Sequence, residues 1–547
     1  KTQQLSKWLV AGTFVLILLT AAFMFAVVNQ YNVGNFDADV FDVLPNSPIN
    51  VIEDETPEVA TKGEGGTVLW KYTVNEVDEP LSTPAIADLN GDGDMEVIVA
   101  SAGDAIYALN PDGTPFWDHP YTDDVIDFMG ETSETSGLDF EPPPIFSSVT
   151  VADIDMGSDP EIIVGVKDGA LCLRANGDLH WKKGKTTGFY FSTCGITDLQ
   201  GEWTGVKDDL EVIMASDDNS RNGWLEAFHV DGGSVFREEV TAGGEGGLIG
   251  CSIATHDLDG SFNGEDQPYE GDEVDTELIV GNHDRGLRIY KRAGNQASGE
   301  PNYDEKFNDM LAGHQTYATP AVGNFSGSPV DEIITASCEG YQVTWEGWGG
   351  KVYAYTPEGD LLWDFSTGSS RAGIMSSPSV ADVHCAKDDP DEKELDYEIF
   401  FGCDNGKLYC IDADHHAELW SFDTGGRILS SPAICNIDGD DELEVCIGSD
   451  SGKVYMFDGD PSDGDDDGQS VPGDCSTHDL LWVADIGEPV GWSSPVIGDI
   501  NLDGVLEVVI GDSKGNIYCI DAGGKSVRGQ KDWPMFHYDL NKTGYYN

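Results

Sequence analysis

Positive charge is scarce in this chain: 29 Lys and Arg face 100 Asp and Glu across 547 residues, a formal charge of −71. That deficit excludes a nucleic-acid partner, which needs basic patches to meet phosphate. It also excludes attachment to anionic lipid through a polybasic surface. The chain has no C-x-x-C pair, no adjacent Cys-Cys and no H-E-x-x-H, and no nucleophile elbow is expected. The common zinc and nucleophile arrangements are therefore not anticipated. The 11 His are scattered, and His415-His416 reads as a solvated turn. Helical periodicity is lacking over long runs, while 66 Gly punctuate the sequence. That combination favours an all-β protein with many turns. An apolar content of 39% is enough for a core, so wholesale disorder is excluded.

What is present begins with residues 8–28, WLVAGTFVLILLTAAFMFAVV, which carry no charge. As an α-helix this stretch spans ~31 Å, about a bilayer core. Lys1 and Lys7 precede it and the rest of the chain is acidic, which places the amino terminus in the cytoplasm and the bulk outside. Residues 1–28 are expected to form one long hydrophobic helix. Lys1 in place of Met is expected to mark cleavage just before it. Residues 29–66 read as an acidic linker with Pro45, Pro48 and Pro57. The amino-terminal arrangement resembles type IV pilin-like proteins, including archaeal ones, whose helix leaves the membrane to pack in a filament core.

From residue 67 a phrase repeats: S-x-P-x-x-x-D, an acidic loop, E-[VIL]-[IV], a G-[KN]-[VIL]-Y strand and a Trp strand. The repeat anchors are Asp88, Asp153, Asp198, Asp257, Asn324, Asp382, Asn436 and Asp499, about 59 residues apart. That is four short strands with their loops, the size of a propeller blade. Outer-strand aromatics follow at Trp117, Trp181, Phe236, Phe307, Trp363, Trp420 and Trp482, and the eighth copy lacks its own. Trp70 in TVLWKY precedes the first copy and fits the gap. The expectation is an eight-bladed β-propeller over 67–547, closed by residues 67–72 as the outer strand of the last blade. Closure removes free sheet edges between the ends. The Trp residues are structural on this reading, packed between blades.

Blade endings such as GKVYAYTPEGDLLWDF resemble pyrroloquinoline-quinone-type propeller repeats, and the acidic loops resemble FG-GAP or integrin-type repeats. WPMFHYDLNKTGYY at 533–546 is similar to a tail on many secreted propellers of these kinds. The loop Asp88-Leu-Asn90-Gly-Asp92-Gly93-Asp94-Met-Glu96 offers oxygens at positions 1, 3, 5 and 9, with a backbone carbonyl at 7 and Gly at 6. Hard Ca2+ takes six to eight oxygens in such an arrangement. Asp499, Asn501, Asp503, Val505 and Glu507 match it equally. Asn436, Asp438, Asp440, Glu442 and Glu444 match but lack the Gly, and Asp153, Asp155, Asp159 and Glu161 form a partial copy. Several Ca2+ ions are expected, fixing loops rather than doing chemistry. For any one loop a solvated Asp-rich turn is the alternative. Asp198 with Glu211, Asp257 with Glu277 and Asp382 with Glu398 keep the ends of the loop around insertions. Asn324 has lost the carboxylates and opens an N-x-S sequon; Asn541 opens another.

The 11 Cys read first as small core residues, with Cys194–Cys251 and Cys385–Cys403 open as bridges. No catalytic constellation is found, and none is expected. The leading expectation is a subunit of an extracellular filament. It inserts in the membrane before assembly, then polymerises with copies of itself through residues 1–28 and displays a Ca2+-stabilised propeller to a glycan or other surface ligand. The alternatives are a membrane-anchored propeller adhesin or lectin and a secreted polysaccharide-active enzyme.

Overall fold

The computed structural model describes the strands and most turns between residues 65 and 525. Residues 1–64, 75–79, 103–104, 123–146, 526–547 and parts of several loops between 156 and 478 lie outside that description. The expected amino-terminal helix and all but the end of the linker therefore fall outside it. No helix among the described residues is long and apolar enough to cross a membrane.

The described chain is all β, in eight separate antiparallel sheets, blades 1 to 8, whose innermost strands are Ala85–Ala87, Thr150–Ala152, Gly195–Thr197, Ala254–His256, Ala321–Gly323, Ser379–Ala381, Ala433–Cys435 and Val496–Gly498. Seven are meanders whose four main strands follow sequence order across the sheet, and the eighth takes its last strand from the start of the chain. Blade 1, the simplest example, runs Ala85–Ala87, Glu96–Ser101, Ala105–Leu109 and Tyr121–Thr122. Its second and third strands are buried along their whole length, as strands sandwiched between neighbouring sheets must be. Blade 3 adds a short edge pairing, Gly188–Phe189 with Glu211–Asp218. Blade 8 is completed by the expected strand: Val68–Thr73 pairs antiparallel with Asn516–Lys525, with Lys71 opposite Tyr518. The propeller starts slightly before residue 67, since Gly66 N–H donates to Asp521 O at 2.8 Å.

Two sets of contacts lock the blades. The first is made by the outer-strand tryptophans. Trp70, Trp117, Trp181 and Trp482 donate Nε1–H to Pro111, Ala175, Val230 and Ala522 carbonyls in the next blade's outer hairpin, at 2.7, 3.0, 2.6 and 2.9 Å. The ring lies flat on the hairpin's left-handed glycine. A β-carbon on Gly113 would stand 2.7 Å from the Trp70 ring, so no larger residue fits without a shift. Blade 6 puts His416 there, at φ 58°, and Trp363 stacks on its imidazole at 4.8 Å.

The second set follows from strand length. Innermost strands have three residues where the second strand of blade 1 has six, so some N–H groups of the longer strand outrun their ladder partners. The first hydroxyl of the S-[ST]-P phrase meets one of them. Ala100, Gly165, Ala215, Gly402 and Gly511 donate N–H to Ser82, Ser147, Ser192, Ser376 and Ser493 Oγ. The second hydroxyl crosses to the neighbouring blade. Ser148 N–H donates to Thr193 Oγ1, Thr193 to Ser252, Ser252 to Thr319, Thr319 to Ser377, Ser377 to Ser431, Ser431 to Ser494, and Ser494 to Thr83. These bonds measure 2.9–3.3 Å and form a belt around the channel that includes the join between the last blade and the first.

Thr83→Val keeps the shape but leaves the buried Ser494 N–H without its acceptor. It is expected to lower unfolding stability by about 1–3 kcal/mol, read from the shift of a urea midpoint.

Candidate functional site

The acidic loops all lie between the innermost and second strands, on one face of the ring. A glutamate at or near the start of the second strand is buried in all eight blades, and in seven of them it holds the loop. Its Oε2 accepts the N–H of the residue after the loop's first position. Leu89 donates to Glu96 at 2.8 Å, Ile154 to Glu161 at 3.2 Å, Leu199 to Glu211 at 2.7 Å and Leu258 to Glu277 at 2.8 Å. Val383 donates to Glu398 at 3.1 Å and Ile500 to Glu507 at 3.0 Å. Ile437 makes the same bond to Glu444. The clasp is present even where insertions separate the loop ends, so this glutamate has a structural duty whatever else it binds.

In blade 1, Asp88 accepts N–H groups from Gly91 and Gly93 at 2.7 and 2.8 Å. Asn90 Oδ1 accepts from Asp92, and Asp92 Oδ1 from Asp94. Asn90 Nδ2 reaches Glu96 Oε1 at 3.4 Å. Blade 8 repeats this: Gly504 donates to Asp499, Asp503 to Asn501, Val505 N–H to Asp503, and Asn501 Nδ2 to Glu507. These bonds curl both loops so that alternate side chains share one side. Blade 2 is tighter. Asp153, Asp155 and Glu161 present carboxylate oxygens all within 4.8 Å of one another, the one such group among the described residues. Asp159 is exposed nearby in sequence. In blade 7, Asn436 and Glu444 are buried, while Asp438, Asp440 and Glu442 lie outside the described residues.

These donors fit a divalent cation. Asp499 Oδ1 is buried with no hydrogen-bond partner. Burial, reinforced by Asp155 and Asp153, pushes the Glu161 carboxyl up to about 7. Burial, with Asp503 and Asp499 beside it, does the same for Glu507. Glu96 is raised for the same first reason. A buried carboxylate among carboxylates is a group that a cation stabilises.

Blades 3 and 4 solve that problem differently, which the sequence spacing concealed. His229 Nδ1 lies 3.5 Å from Glu211 Oε1, and Lys291 Nζ lies 3.6 Å from Glu277 Oε1. His229 directly follows the third strand of blade 3, Gly223–Phe228, and Lys291 lies on the third strand of blade 4, Gly286–Asn295. A basic side chain thus stands beside the glutamate in two blades whose loops carry insertions.

Other residues resolve against chemistry. Among the described residues nine cysteines are buried and form no disulfide, including Cys194, Cys251 and Cys403. The Cys194–Cys251 pairing that the sequence left open is not formed, and Cys385 lies outside the described residues. Burial pushes the Cys251 and Cys403 thiols up to about 12, so neither ionises near neutrality. One stretch does carry the letters G-x-S-x-G, at 511–515. It is a β-hairpin turn, not an elbow: Asp512 Oδ1 accepts N–H groups from Lys514 and Asn516 at 2.8 Å. Near the channel mouth, Tyr317 of blade 5 and Trp492 of blade 8 approach to 6.3 Å between ring centres.

No protein family matches the sequence, and no curated protein matches it. Among solved structures, a quinohemoprotein alcohol dehydrogenase from Comamonas testosteroni superposes with a TM-score of 0.50 at 11% identity, covering 85% of this chain and 77% of that one. BamB from Moraxella catarrhalis superposes at 0.46 with 13% identity, covering 83% and 97%. The shared feature is the fold. The chain is an eight-bladed β-propeller.

The blade 8 loop holds one strained residue. Leu502 adopts φ 56°, where blade 1 has Gly91 at 77°, and it is 54% exposed. Leu502→Gly is expected to raise stability by about 0.5–1 kcal/mol, since a left-handed Leu costs more than the added chain entropy. Thermal melts of the two proteins side by side check this.

Proposed function

We propose that this chain is a subunit of an extracellular pilin-like filament, in which residues 1–28 pack with copies of themselves and the propeller is the displayed, Ca2+-stabilised interaction module. One juxtaposition carries the reading. An uncharged stretch of 21 residues, 8–28, precedes a ring that the chain enters on an outermost strand, Val68–Thr73. Entry at the outer edge supports a carrier role, because the described chain joins the ring on an outermost strand and not at the innermost one. The charge of −71 suits a solvated surface particle. A membrane-anchored propeller is the second reading, favoured by the match of ~31 Å of helix to a bilayer core.

Ca2+ enters as a brace in this proposal. Asp88, Asn90, Asp92, Asp94 and Glu96 would hold one ion, and Asp499, Asn501, Asp503, Val505 and Glu507 a second. Asp153, Asp155, Asp159 and Glu161 would hold a third, and Asn436, Asp438, Asp440, Glu442 and Glu444 a fourth. The ion supplies positive charge between buried carboxylates and fixes loop conformation. Adding Ca2+ to chelator-stripped protein is expected to raise the melting temperature. The gain corresponds to about 2.7 kcal/mol once Ca2+ reaches a hundredfold excess over its dissociation constant. Asp88→Asn with Asp499→Asn should remove a large part of it. A melting temperature indifferent to both Ca2+ and chelator would end the metal proposal.

The filament itself is tested by electron microscopy of native material sheared from cells without detergent. Regular fibres bearing propeller-sized knobs are the expected outcome. Recovery of the protein from detergent-extracted membranes alone would replace the filament with the anchored module.

A further inference from the structure

Blade 1 departs from its siblings just after its docking tryptophan. Regular copies continue for one residue and then place an aromatic: Trp363-Asp364-Phe365, Trp420-Ser421-Phe422 and Trp70-Lys71-Tyr72. Blade 1 reads Trp117-Asp118-His119-Pro120-Tyr121, two residues longer. The ladder records the insertion. Ile106 pairs with Tyr121 as Val352 pairs with Phe365, so the strand regains register only after the extra pair. Between Trp117 and Tyr121 the outer strand is thrown off the third strand, and Pro120 has no N–H to restore a ladder bond. Bulges of this kind re-aim side chains and cluster beside binding sites.

The displaced segment forms a cavity, a solvent-open groove of about 600 Å³, against the outer hairpin of blade 2. Its walls include Phe116, Asp118, His119, Tyr121, Asn176 and Asp178. Binding cavities for small molecules span about 300–1,000 Å³. Trp117 forms the fixed back wall, with its ring on Gly177 and its N–H on the Ala175 carbonyl at 3.0 Å. Asp118, His119, Asn176 and Asp178 are exposed, while Phe116 and Tyr121 are half-buried. Asn176 and Asp178 are already oriented by each other, Nδ2 to Oδ2 at 2.9 Å.

The chemistry of these walls selects a ligand class. Carboxylates accept, the amide and imidazole both donate and accept, and the rings offer apolar faces. Hydroxyl groups are the partner that both donates and accepts. An ammonium ligand would need acceptors alone, and an anion would meet two carboxylates on a chain of charge −71. We infer that this cavity binds a neutral saccharide, its hydroxyls bonded by Asp118, His119, Asn176 and Asp178 and its C–H face laid on Phe116 or Tyr121. The inference uses propeller residues alone and stands whether the ring is carried on a filament or a membrane anchor.

Saturation-transfer NMR on the full chain tests it, with glucose, galactose, mannose and N-acetylglucosamine as probes and tetramethylammonium as the cationic control. Transfer to one or more of the sugars is expected. Asp118→Ala with His119→Ala should weaken it about tenfold or more, with the unfolding midpoint unmoved because both side chains are exposed. Deleting His119 and Pro120 restores the regular spacing of the outer strand and should abolish transfer while the fold persists. Absence of transfer to all four sugars overturns the inference. So does transfer that survives in both variants, and so does transfer to tetramethylammonium alone, which would assign the cavity to a cation.

Discussion

The hydroxyl belt is the constraint on which the ring depends. Around the channel, the innermost strands of neighbouring blades diverge and share no ladder, so the backbone N–H at the head of each strand faces a neighbour that offers no carbonyl in register. A buried N–H without an acceptor is costly, and nearly all such groups in proteins are satisfied. Ser or Thr at the second position of S-[ST]-P supplies the missing acceptor from the next blade. Each bond therefore requires a correctly placed neighbour. The bond from Ser494 to Thr83 requires the whole ring, because its partners stand 411 residues apart. Closing so long a chain is entropically unfavourable, though the penalty grows only slowly with length. The belt, the docked tryptophans and the strand Val68–Thr73 act together at that join.

The repeat was legible because blade chemistry is local. S-[ST]-P, E-[VIL] and the Trp strand each fix a residue's place within one copy, and their spacing gave eight blades and the closing strand. Partners were not legible, because they belong to the next copy. Thr83 and Ser494 look like ordinary turn residues until their blades are set side by side. The glutamates illustrate a different limit. Oxygen spacing marked Glu96 and Glu507 as candidate ligands, and nothing in that spacing revealed that Oε2 clasps a loop N–H. The same clasp in Glu211 and Glu277, whose loops carry long insertions, separates the structural duty from any metal duty. His229 and Lys291 were hidden because the relevant distance runs across a ladder, not along the chain. The His119-Pro120 insertion was visible as two extra letters, but its meaning needed the register of Ile106 with Tyr121.

Charge is distributed around the ring in a way that bears on the metal proposal. The buried glutamate has His229 beside it in blade 3 and Lys291 in blade 4, and in blade 2 it faces Arg174 on the ladder. In blades 6, 7 and 8 it faces Asp412, Asp458 and Asp521. Like charges directly opposite one another destabilise a sheet. Blade 6 tempers this with His415, whose Nδ1 lies 2.7 Å from Asp412 Oδ2. Blade 8 pairs Glu507 with Asp521 beside the acidic loop 499–507, and that loop is also where the ring closes. Met95 N–H donates to the Ile500 carbonyl at 2.8 Å. Leu502 Cδ1 lies 3.1 Å from where a β-carbon on Gly93 would stand. The loops of the last and first blades thus touch, and both are rich in carboxylates. A cation seated in either one lowers repulsion in both and stiffens the contact between them. Blades 3 and 4 lie away from the join and carry their own bases. Blade 2 combines both devices, since Glu161 faces Arg174 on the ladder and also joins the tight carboxylate group with Asp153 and Asp155.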